Sequence, residues 1–126
     1  MRIIGMRVVC SLWLALGMLG VTDHARAQGK AEQSLKCDVG PIQKSYGGTP
    51  WLVYSCRDSQ ALVFVTAPQS PAAPFYFFLY PNGLTFRLTG EGTGNQTLTD
   101  AAYNELKSLQ ADEITALISQ TQSVQP

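Results

Sequence analysis

Histidine is nearly absent from this chain, and the single one, His24, lies close to the N-terminus. Histidine is the commonest general acid or base and a frequent metal ligand. Its scarcity argues against Ser-His-Asp and Cys-His catalysis and against histidine metal centres. Cysteine is also scarce, with three residues in all. No Cys-x-x-Cys-His motif occurs for haem, and two sulfurs without histidine make a poor zinc site. The sequence therefore points to no metal and no cofactor. Charge is sparse, and Lys and Arg do not cluster as they do on nucleic-acid-binding faces, so no nucleic-acid partner is expected.

The N-terminal stretch reads as a secretory signal peptide. Arg2 and Arg7 give a basic start, Val8 to Val21 is mostly apolar, and Ala25-Arg26-Ala27 fits the small-x-small cleavage pattern. Cleavage would leave Gln28 first, remove His24 and Cys10, and leave no membrane span. The apolar run is shorter than the about 20 residues that spanning requires. Cys10 lies inside that run without the small residue that precedes a lipidated cysteine. The expected organisation is a signal peptide at 1–27 and, at 28–126, a single small exported α+β domain with one disulfide. Its location would be periplasmic or extracellular. Six bases (Lys30, Lys36, Lys44, Arg57, Arg87, Lys107) face eight acids (Glu32, Asp38, Asp58, Glu91, Asp100, Glu105, Asp112, Glu113) in that domain.

A domain this short buries a modest core and is often stapled. Cys37 and Cys56 are the two cysteines left after cleavage, and in an oxidising compartment they are expected to pair. Folding a strand at Leu35–Val39 back on one at Trp51–Cys56, about a turn near Gly47, would bring them opposite each other.

The unbroken apolar run Phe75 to Tyr80 is read as the central strand. Its aromatics suit a pleated surface, and it lacks polar alternation, as a strand covered on both faces does. Leu62 to Val65 precedes it, across a loop marked by Pro68, Pro71 and Pro74. Leu84 to Leu88 follows it, with Leu84, Phe86 and Leu88 alternating with Thr85 and Arg87. If Pro81 occupies the turn, its fixed φ favours a type I turn with Gly83 in the left-handed region. Tyr80 would then face Leu84, Phe78 would face Phe86, and Tyr76 would face Leu88. That register puts Phe75, Phe77 and Leu79 on the opposite face, beside Arg87.

Thr99 is a candidate N-cap for a helix opening at Asp100. The phase of the apolar residues then shifts, so a break near Gln110 and a second helix with Asp112 and Glu113 in its first turn are expected, ahead of a polar tail from Ser119. The fold class is α+β: an antiparallel meander sheet of about five strands followed by two C-terminal helices packed on one face, that of Leu84, Phe86 and Leu88.

Asp38, Asp58 and Glu91 are the carboxylates at strand ends and turns. A pair of carboxylates can run glycoside hydrolysis across a cleft. Turn residues that bond their own backbone have the same sequence appearance. The glycine-rich link Gly90 to Gly94 lacks the Lys-Ser/Thr of a phosphate-binding loop. No catalytic residue is assigned. The function expected is that of a non-catalytic binding or assembly module using an aromatic sheet face, with Phe75, Phe77, Leu79 and Arg87 as binding residues and another protein or a second copy as partner. The alternative is a small carboxylate-dependent hydrolase acting on cell-wall or glycan substrates.

Overall fold

The computed structural model describes residues 35–124. The signal peptide read at 1–27 lies outside the described residues, as do Gln28 and the polar positions after it. Five strands, β1 (Val39–Tyr46), β2 (Thr49–Ser55), β3 (Leu62–Thr66), β4 (Phe75–Asn82) and β5 (Thr85–Gly92), form one antiparallel sheet in chain order. Two helices, α1 (Gln96–Leu106) and α2 (Ala111–Ser123), follow and pack on one face. This is the α+β meander that the sequence pattern implies.

One side of the sheet supplies the core. Trp51 and Val53 of β2, Leu62 and Phe64 of β3, and Phe77 and Leu79 of β4 meet Ala102, Leu106, Ile114, Leu117 and Ile118 of the helices. Burying a Val, Leu, Ile or Phe side chain contributes about 1.5–3 kcal/mol. The Trp51 indole N–H donates to the Tyr46 carbonyl at 3.0 Å and to Thr49 Oγ1 at 3.2 Å. Among the described residues no buried side-chain nitrogen or oxygen lacks a partner.

The first hairpin turns at Gly47-Gly48, between the paired residues Tyr46 and Thr49. Both glycines have positive φ, at 61° and 78°, the pattern of a I′ turn whose twist matches that of the strands. The strand read at Leu35–Val39 begins instead at Val39. A register shift between Val39 and Ile42 carries the chain through Gly40-Pro41 as a bulge. The disulfide joins Cys37 to Cys56 as expected, just ahead of β1 and just after β2.

The second hairpin departs from the expected register. Asn82 pairs with Thr85, so the turn is Gly83-Leu84, with Gly83 at φ 66°. Glycine at the first central position is the II′ solution. Pro81 belongs to β4 rather than to the turn. It lies beyond Leu79, where the β3 ladder ends at Leu62, so its missing N–H costs no ladder bond. Tyr80 therefore faces Arg87, Phe78 faces Thr89 and Tyr76 faces Glu91. The offset from the expected pairing is odd in residues, and it exchanges the faces of β4. Phe75, Phe77 and Leu79 point to the helices; Tyr76, Phe78 and Tyr80 point away.

Helix α1 also starts earlier than Thr99. Asn95 caps it, with its Oδ1 accepting from the Leu98 N–H at 3.2 Å. Helix α2 starts where expected, with Asp112 and Glu113 in its first turn and a capping box between Gln110 and Glu113. The polar tail expected from Ser119 is helical to Ser123. Thr121 is fully buried there and bonds Ser55 Oγ at 2.6 Å.

Candidate binding surface

The outer face of the sheet is built from the alternate residues of β2, β3 and β4. The pairings align Leu52 with Val65 and Val65 with Tyr76; one step along, Tyr54 aligns with Val63 and Val63 with Phe78. Tyr80 continues the β4 column, and its ring stacks on that of Phe78 with centroids 4.9 Å apart. These side chains are half-buried by one another, and Tyr76 is 42% exposed. No described element lies over them. Gln43 borders the surface on β1, and Thr85, Arg87, Thr89 and Glu91 border it on β5. The Tyr76 hydroxyl donates to Glu91 Oε2 at 3.3 Å, and the negative charge of Glu91 raises the pKa of that phenol. The result is an apolar strip with polar tips and a charged margin.

Of the four binding residues read from the sequence, only Arg87 stands on this face, opposite Tyr80. Phe77 and Leu79 are 2% and 3% exposed under the helices, and Phe75 is half-buried beside them. Their placement on an open face is corrected by the hairpin register. The residues missed were Leu52, Tyr54, Val63, Val65, Tyr76, Phe78 and Tyr80. One signal marked three of them: the tyrosines of β2 and β4, Tyr54, Tyr76 and Tyr80, all point outward, and Trp51, Phe75, Phe77 and Leu79 point inward. Tyrosine tolerates a wet margin because its hydroxyl can remain in water.

The carboxylates are held in local contacts. Asp38 accepts both hydrogen bonds of a forked pair from Arg57, each 2.9 Å, and this bonding lowers its pKa below the usual carboxylate value. The pair is exposed and lines an open cleft of about 490 Å³ with Ser59, Gln122 and Val124. Asp58 Oδ1 accepts from the N–H groups of Gln60 and Ala61 and closes the turn between β2 and β3. Glu91 lies on the outer face with Tyr76. A second cleft, of about 470 Å³, contains Glu105 and Glu113 beside Tyr46. Each of these glutamates is fixed by a backbone donor: the Gly47 N–H bonds Glu105 Oε1 at 2.7 Å, and the Gln110 N–H bonds Glu113 Oε1 at 2.9 Å. The first ties the β1–β2 turn to α1, and the second caps α2. Both leave an oxygen committed to structure. Burial, followed by the charges of Glu105 and Glu113, pushes the Tyr46 phenol up to about 12.

Comparison with protein-family models, with curated proteins and with solved structures finds no match for this chain.

Proposed function

We propose that this chain is a small exported, non-catalytic binding or assembly module, and that it takes the apolar surface of another protein against the outer face of its sheet. The observation that carries the reading is the unbroken apolar surface of Leu52, Tyr54, Val63, Val65, Tyr76 and Phe78, which no described element covers. A broad sheet face of this kind matches a protein surface better than a small ligand, which needs a concave site. The Cys37–Cys56 disulfide supports an oxidising, exported setting. Among the described residues no helix is long and apolar enough to cross a membrane.

The test is purification of the protein from its native envelope with identification of what stays bound, repeated with Phe78→Asp and with Phe86→Ser on the other face. The expected result is one defined partner, lost with Phe78→Asp at unchanged circular dichroism and kept with Phe86→Ser. Retention of the partner by Phe78→Asp, or no partner at all, overturns the proposal.

A further inference from the structure

We infer that β5 pairs edge to edge with β5 of a second copy of this chain, antiparallel and centred on Thr89, joining two sheets into one of twice the width. The inference does not rest on the outer-face reading above.

The two edges of the sheet differ. β1, at one end, carries Pro41, Lys44 and a bulge, three devices that blunt an edge against pairing. β5, at the other end, is eight residues long, with no proline, no lysine and no register shift. All of it is exposed except the half-buried Leu88, and among the described residues only β4 pairs with it. In a two-residue hairpin the closing pair exchanges both backbone hydrogen bonds, and bonded pairs alternate from there. Asn82–Thr85 is that pair, so Phe86, Leu88, Gly90 and Gly92 turn their N–H and C=O groups to the free edge. These are the groups a further strand would bond.

Charge and size select one register. Centring on Thr89 places Arg87 opposite Glu91 of the second copy, and Glu91 opposite its Arg87, on the outer face. Both fall at positions where side chains approach most closely. Moving the centre by one residue, to Leu88 or Gly90, removes both ion pairs. Moving it to Arg87 or Glu91 sets like charges against each other. On the inner face the same register puts Leu88 opposite Gly90, and Phe86 opposite Gly92. Gly90 has no side chain because the rings of Phe75 and Phe77 occupy that space, 2.8 Å from where a Cβ would stand. Leu88 of the second copy would cover those rings, and Phe86, 38% exposed in the single chain, would be shielded as well. Large side chains thus meet glycines at every inner position.

The experiment is sedimentation velocity on the protein produced from the full chain, over a concentration series at low and high salt. The wild type should dimerise, less tightly as salt rises. Arg87→Glu and Glu91→Arg should each weaken dimerisation roughly tenfold or more, since two attractive pairs become repulsive. Two further results isolate the register: the double variant R87E/E91R should restore self-association, and mixing the two single variants should produce a mixed dimer. Circular dichroism confirms that each variant is folded. A wild type that stays monomeric to roughly millimolar concentration, single variants that associate as the wild type does, or a mixture that fails to associate would each overturn the inference.

Discussion

Phe77 sits at the meeting point of sheet and helices, with ring centroids 5.2 Å from Trp51, 4.9 Å from Phe75 and 6.2 Å from Tyr103. Such contacts leave no room for an outward role. Phe77→Ala should open a cavity and cost about 3–5 kcal/mol, a large share of a small domain's stability. Denaturant melts should show a large drop in midpoint for Phe77→Ala and a small one for Phe78→Ala on the open face. Tyr46 gives a second residue-scale test. Its folded pKa, pushed up to about 12 mainly by burial, lies above the value of a free phenol. The neutral phenol is therefore favoured by folding, and its stabilising contribution is complete below pH about 10 and disappears as pH rises through about 12. Ultraviolet titration should find one tyrosine that ionises late and together with unfolding. Glu105→Gln should lower that midpoint only in part, because charge is the lesser cause.

At the scale of elements, the β4–β5 hairpin separates what was legible from what was not. Both strands, their order and the helix pair were readable, because apolar runs bounded by Gly, Pro and Asn leave few other arrangements. The register was not. Pro81-Asn82-Gly83 contains two turn-forming residues and one glycine, and choosing proline as the turn moves every side chain of β4 to the wrong face. Both faces of β2, β3 and β4 are apolar, so hydrophobic alternation had no power to correct the choice. The candidate binding residues inherited that error, and the disulfide did not, because it depends on the Gly47-Gly48 hairpin. The helix start was misread for a related reason: Asn95 and Thr99 are both competent caps, and only the Leu98 N–H selects between them. The hairpin itself can be tested by substitution. Pro81→Val should change stability by less than about 0.5 kcal/mol, as expected away from special backbone positions. Gly83→Val should cost about 1–3 kcal/mol, since a β-branched residue at φ 66° is strained. The reverse ranking in thermal melts would place Pro81 in the turn after all.

On the scale of the whole molecule, one end of the sheet concentrates the long-range ties. Cys37–Cys56 closes the chain across a separation of 19 residues, and Arg57 bonds Asp38 beside it. Thr121 of α2 bonds Ser55 of β2 one residue before the disulfide. The last helix, the first hairpin and the staple therefore share a single corner. The exposed ion pair should contribute little there, as surface pairs do. The disulfide constrains the unfolded chain, and a loop of this size gives about 3 kcal/mol in the chain-entropy model. The Gly47-Gly48 turn already restricts part of that loop, so the realised gain should be smaller. Replacing both cysteines with Ala should lower the melting temperature by several degrees, at roughly 4–8 °C per kcal/mol for a domain of this size. Thr121→Val should destabilise by about 1–3 kcal/mol, since it leaves the Ser55 hydroxyl without this partner in a dry site. Because the two changes meet at one corner, their effects should not be additive. Once the staple is gone, the end of β2 is freer to move, and the cost of Thr121→Val should shrink by at least about 0.5 kcal/mol. A double-mutant cycle of thermal melts measures that coupling, and strictly additive costs would show that α2 docks independently of the disulfide.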